Sequence, residues 1–205
     1  MITRISGVLE SVEGLEATVR PEGGVVYAVL VPQYLAERLR GQIGRTVMLH
    51  TIHYLESQGQ GSAYVPRLIG FLSPQDRRFF DLMTSVEGLG NKRALRVLAQ
   101  EPALIARAIV GADAAWLSGL PEIGKKTAEK VILELKGKVG SFLSAEEVRG
   151  LEEAASGGDA AAEAVAAMVR LGETRTDAER KVRQVLSRRR DLTESDEIVA
   201  AAYGG

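Results

Sequence analysis

The spacing of apolar residues changes twice along this chain. From Met1 to about Phe71 they fall in short runs of loose alternation. Ile2-Thr3-Arg4-Ile5-Ser6-Gly7-Val8-Leu9 opens the chain, and Ala17–Arg20 and Val25–Val31 flank a Pro21-Glu22-Gly23-Gly24 turn. That flanked turn reads as a hairpin. Gln33 to Leu39 has helical spacing, and Thr46–Leu55 and Arg67–Phe71 supply the last strands. Five or six short strands with one small helix predict a small closed barrel of the OB type over residues 1–72.

Helical spacing takes over from about Ser73. Ser73-Pro74-Gln75-Asp76 is a helix start, with a cap residue and then proline at the first position. Asp113 can cap a short helix holding Trp116 and Leu117. Lys125 to Lys138 reads as an amphipathic helix with Ala128, Val131, Ile132 and Leu135 on its buried face. Residues 73–140 form the second expected domain. Residues 141–158 are rich in acid and read as a flexible linker, with Leu143, Val148 and Leu151 able to form transient helix. A three-helix bundle is expected over residues 159–205. Gly172 ends its first helix and Thr176-Asp177-Ala178-Glu179 caps its second. The predicted fold class is therefore α+β and multidomain.

The middle region carries a repeat. Val86-Glu87-Gly88-Leu89-Gly90-Asn91-Lys92-Arg93-Ala94-Leu95 is followed by Leu120-Pro121-Glu122-Ile123-Gly124-Lys125-Lys126-Thr127-Ala128-Glu129. In each copy a helix ends, a Gly-containing turn follows, and a basic helix begins. This is the layout of a helix-hairpin-helix. The first amides of a helix lack intrahelical partners and point outward, so they can hold a phosphate oxygen. No residue here reads a base edge, so the unit is expected to bind nucleic acid without regard to sequence. The expected DNA-binding residues are Gly88, Leu89, Gly90, Asn91, Lys92 and Arg93, then Ile123, Gly124, Lys125, Lys126 and Thr127.

Two nucleotide-binding readings fail on context. A Rossmann loop needs a preceding strand and a third glycine, but the lead-in here is helical and Arg93 stands at the glycine position. Gly119 and Gly124-Lys125 match the start of a P-loop. Lys126 then replaces the magnesium-binding Ser or Thr, and Pro121 lies inside the loop.

Composition narrows the picture. The chain has 205 residues, a net charge of −1 and no cysteine, which excludes disulfides and thiolate metal sites and fits a reducing cytosol. The charge is uneven. Lys125, Lys126, Lys130, Lys136 and Lys138 crowd one segment, and Glu146, Glu147, Glu152, Glu153 and Asp159 the next. No apolar run approaches a membrane span, so no membrane partner is expected. His50 and His53 lie three apart in a strand and face opposite sides, so neither a metal nor a cofactor is expected. Tyr34, Tyr54 and Tyr64 are expected in core or interface positions. A nuclease would need a carboxylate cluster for two metal ions. A general duplex-binding protein would use the same hairpins and stays open.

These motifs together resemble the RuvA family, Holliday-junction-binding subunits of the bacterial branch-migration complex. The resemblance covers nearly the whole chain. It rests on Met1-Ile2-Thr3-Arg4-Ile5-Ser6-Gly7, Leu68-Ile69-Gly70-Phe71, both hairpin runs, and Glu163-Ala164-Val165-Ala166-Ala167-Met168-Val169-Arg170-Leu171-Gly172. It implies a cytoplasmic homotetramer, with an octamer left open, acting in recombination and DNA repair. It implies a non-catalytic subunit that binds four-way junctions and recruits a RuvB-type hexameric ATPase motor, alongside a RuvC-type resolvase. Val165, Met168 and Leu171 are the implied motor-binding residues. The family's acidic pin, normally two adjacent acids, maps to Leu55–Ser62, where one acid, Glu56, remains. Where the family usually has glycine, the second hairpin has Glu122.

Overall fold

A computed structural model of the chain describes residues 1–57, 63–189 and 192–204, with backbone alone over 153–159. The chain forms two compact units, Met1–Leu143 and Ser144–Gly205.

The first unit begins with five strands: β1 (Arg4–Glu13), β2 (Glu16–Arg20), β3 (Tyr27–Leu30), β4 (Thr46–Ser57) and β5 (Tyr64–Phe71). They close into a barrel in the order β1-β2-β3-β5-β4. Closure depends on β1 serving two neighbours. Its first half pairs with β4, from Arg4 opposite His50 to Val8 opposite Thr46. Its second half pairs with β2, with a register shift between Leu9 and Ser11 that bends the strand. Gly7 sits where the backbones crowd, because a Cβ there would lie 2.4 Å from the Arg20 carbonyl oxygen. The parallel contact of Leu30 with Ile69 completes the ring. Alternate residues point inward, so Ile5, Leu9, Val19, Val29, Val47 and Leu49 fill the interior. Helix α1 (Gln33–Arg40) adds Leu35, Ala36 and Leu39 to that core.

Five further α-helices, α2 (Pro74–Ser85), α3 (Asn91–Val97), α4 (Pro102–Val110), α5 (Ala114–Ser118) and α6 (Lys125–Leu135), and a 3-10 turn at Gly140–Phe142 complete the first unit among the described residues. The Ser73 side chain accepts the Asp76 amide, and proline follows it at the helix start, as the sequence predicts. The Asp113 side chain accepts the Trp116 amide at the start of α5. The helical layer is anchored to the barrel by a Phe71–Phe80 ring contact at 5.1 Å and by the Tyr34 amide, which donates to the Leu98 carbonyl at 3.0 Å.

The second unit contains α7 (Ala145–Arg170), α8 (Arg175–Arg188) and α9 (Ser195–Tyr203). Helix α7 runs through the segment where a linker is expected. Its start is a complete capping box: the Ser144 side chain accepts the Glu147 amide, and the Glu147 carboxylate accepts the Ser144 amide. Glu146 and Glu147 then lie at the positive end of the helix dipole, so the same acids that suggest a linker favour a helix start. Helix α8 also starts earlier than predicted, because Thr174 caps the Asp177 amide instead of Thr176 leading the helix. Ala164, Met168, Ala178, Val182 and Ile198 form the core of this unit.

Candidate nucleic-acid interface

The two repeated segments fold into the same backbone. Gly88 and Glu122 occupy equivalent turn positions, and both are left-handed, with φ of 88° and 64°. A left-handed turn brings each chain round into its second helix. Glycine takes that conformation freely, whereas Glu122 takes it against Cβ–carbonyl repulsion. The next residues, Leu89 and Ile123, are 1% and 4% exposed and pin the turns to the core. Only their backbones remain for a ligand, so as side chains they leave the expected DNA-binding set.

Gly90 and Gly124 are the N-caps of α3 and α6, each extended and without a side-chain cap bond. The first helical hydrogen bonds run from Ala94 to the Gly90 carbonyl and from Ala128 to the Gly124 carbonyl, both at 2.9 Å. The amides before them, of Asn91 to Arg93 and Lys125 to Thr127, thus precede the helical ladder. A Cβ at either glycine would meet nothing within 4 Å. Each helix start therefore offers open space and partial positive charge, the two properties a phosphate oxygen requires.

The side chains are wired differently. Lys92 donates to the Glu56 carboxylate at 2.9 Å, and Arg67 holds the other oxygen at 3.1 Å. Glu56 stands in β4 with its side chain 11% exposed. Hydrogen bonding from Lys92, then from Arg67, holds its carboxyl below the usual glutamate range against an opposing desolvation effect. Its neighbour Tyr54 has a phenol pushed up by burial and by the Glu56 charge. Glu56 is thus placed in a strand and counter-charged. The rest of the expected pin loop, Gln58 to Ser62, lies outside the described residues. Lys125 and Lys126, by contrast, are exposed and make no ion pair among the described residues.

Arg93 lies between the two turns. One guanidinium nitrogen donates to the Gly88 carbonyl at 2.7 Å and another to the Glu122 carbonyl at 2.8 Å. The Glu122 carboxylate turns toward α3, accepting from Arg96 at 2.8 Å and facing Arg93 at 3.7 Å. A reciprocal pair joins Glu87, in the first turn, to Lys130 on α6. Arg96 and Lys130 hold equivalent places, each six residues after its cap glycine. The expectation for Arg93 as a DNA contact therefore meets a side chain whose donors bind two turns of the protein. The sequence reading missed Arg96 and Lys130 because their partners are distant in the chain.

The expected motor-binding residues divide. Met168 is fully buried in the core of the second unit, so its side chain leaves that set. Leu171 is 69% exposed. Val165 borders a groove of about 570 Å³ with Val182 and Leu186, rimmed by Arg175 and Arg183. Tyr64, expected in a core or interface, is exposed at the start of β5. No helix among the described residues is long and apolar enough to cross a membrane, and no cluster of metal-ligating residues occurs among them.

Comparisons with known proteins agree with this geometry. The family described as a SAM-like helix-hairpin-helix tandem matches residues 80–138, the span of both hairpins. The chain is 35% identical to the Holliday junction branch migration complex subunit RuvA of Rhodopirellula baltica, over 99% of this chain and 98% of that protein. It is 40% identical to the protein of the same name from Opitutus terrae, over 90% of each. The Salinibacter ruber counterpart is 32% identical over 98% of this chain and 97% of that one. Likeness of this extent, over nearly the whole length of both proteins, places the chain in the RuvA family.

Proposed function

We propose that this chain is a non-catalytic subunit that grips four-way DNA junctions by their phosphates and delivers them to an ATP-driven motor for branch migration in recombination and repair. The carrying observation is the pair of glycine-capped helix starts with matching backbone and open space in front of each. Such a site takes phosphate without reading sequence. Four arms call for several such units, so this reading includes a homotetramer with the barrels at the centre. A RuvB-type hexameric ATPase is the proposed motor, and a RuvC-type resolvase a further partner. ATP hydrolysis belongs to the motor, since the P-loop-like run here lacks its hydroxyl residue.

The test is a comparison of four-way junction with linear duplex of equal length, together with particle mass in solution. Tighter junction binding by a particle of four chains is expected. Equal affinity for both DNAs would favour a general duplex-binding protein.

The second unit is proposed to contact the motor through Val165 and Leu171 and the groove beside them. Deleting residues 144–205 should leave junction binding intact and abolish stimulation of the motor. Continued branch migration by the shortened chain would exclude that role.

A further inference from the structure

We propose that Arg93, with Glu122 and the Glu87–Lys130 pair, forms a spacer that holds the two hairpins at a fixed separation, matched to two phosphates of one duplex arm. The inference rests on the DNA-binding reading above and assigns these residues to positioning, not to phosphate contact. Three observations carry it. Arg93 donates to the carbonyls of Gly88 and Glu122, which are the equivalent left-handed residues of the two turns. One planar guanidinium thus clamps both turns at their left-handed residues. The acid of each turn also reaches across to the other hairpin's helix, Glu122 to Arg96 and Glu87 to Lys130. Finally, Glu122 keeps a left-handed backbone that favours glycine, and its side chain is directed into this contact.

The consequence concerns binding of two phosphates at once. A single helix start holds one phosphate weakly. Two starts act together only if their separation matches the DNA, because a mismatch sacrifices the gain from linking them. A spacer made of side chains lets the two turns be set by residues that never touch DNA. Individually, exposed ion pairs contribute little. The Arg93 clamp differs because it bonds two backbone carbonyls, and lysine cannot reproduce that fork.

The experiment compares Arg93→Lys and Arg93→Ala with the parent chain for four-way junction affinity over a salt titration, with thermal unfolding as a fold control. Lysine preserves charge but not the clamp. The spacer predicts that both variants lose affinity alike, by roughly tenfold, within the range found for coupled neighbours. If Arg93 were a phosphate ligand, lysine would stay close to the parent, and that result overturns the proposal. A second set guards against misfolding: Glu87→Lys, Lys130→Glu and the double exchange, which keeps net charge. Recovery of junction affinity in the exchanged pair beyond the sum of the singles supports the spacer. Simple additivity in affinity, with coupling seen only in unfolding temperature, overturns it. Failure of the parent chain to bind junctions would instead refute the function proposed above.

Discussion

The two hairpins share a backbone and differ in what their cations do. In both, a left-handed residue, a buried aliphatic and a glycine cap lead into a helix whose first amides precede the hydrogen-bond ladder. In the first hairpin the cations are engaged internally: Lys92 by the barrel's Glu56, and Arg93 and Arg96 by the second turn. In the second, Lys125 and Lys126 face solvent. Backbone geometry gives both hairpins the same open, glycine-capped helix start, while side-chain wiring makes them electrostatically unequal. The first is tied into the protein, and the second carries the available charge.

The largest effect should come from the free lysines. Replacing Lys125 and Lys126 with alanine should lower the log–log salt slope of junction binding by about two, at about one per lost phosphate contact. Lys92→Ala should lower it by clearly less, because that ammonium is already paired with a carboxylate. Equal slopes for Lys92→Ala and Lys126→Ala would erase the distinction between the hairpins.

A smaller effect follows from Glu56. Its carboxyl is held below the usual glutamate range, mainly by Lys92. A depressed folded-state pKa means that the contribution of this contact is present above the ordinary glutamate value. It is lost as pH falls through the lowered value. A carboxylate titration followed by NMR should show Glu56 titrating below ordinary glutamates, and below its own position in a Lys92→Ala variant. An ordinary midpoint in the parent would mean that Lys92 is free after all. Glu56→Gln should raise the first hairpin's share of the salt slope, by up to about one. The gain would arise from release of Lys92, which sits 2.9 Å from the carboxylate.

Smaller still is the expected change on Glu122→Gly. Relief of left-handed strain favours glycine by about 1–2 kcal/mol. Greater unfolded-state freedom offsets about 0.5–1 kcal/mol of that, and loss of exposed ion pairs about 0–1 kcal/mol more. The net shift in a denaturant titration should lie between about 1 kcal/mol of loss and about 1.5 kcal/mol of gain. A loss of several kcal/mol would show Glu122 to be a main support of the turn.

What the sequence could show follows from range. The turns were legible because Gly88, Gly90 and Gly124 and the buried Leu89 and Ile123 lie within a few residues of one another. The barrel was legible from alternation and the Pro21–Gly24 turn. Contacts between distant segments were not: Glu56 with Lys92, and Glu122 with Arg93 and Arg96, depend on packing that no local pattern encodes. Met168 shows a related limit. Helical spacing put it in an apolar set but could not say which members face inward. The structure buries Ala160, Ala164 and Met168 along one stripe and leaves Leu171, at the helix end, in solvent. The start of α7 is legible in Ser144 and Glu147, which spell a capping box, although the acid-rich composition around them also fits a linker.

The glycine-capped amides of α3 and α6 are proposed to hold the DNA backbone. Substituting serine at both Gly90 and Gly124 tests that proposal directly. Serine is a preferred N-cap whose hydroxyl accepts the first-turn amides, and it changes no charge. A Cβ at either site meets nothing within 4 Å in the free protein. The measurement is four-way junction affinity of the doubly substituted chain, beside its unfolding temperature. Unchanged or raised thermal stability is expected together with junction binding weakened by at least about tenfold, since the phosphate must now compete with an internal acceptor for the same amides. Parent-like affinity in a folded Gly90→Ser, Gly124→Ser protein would contradict it.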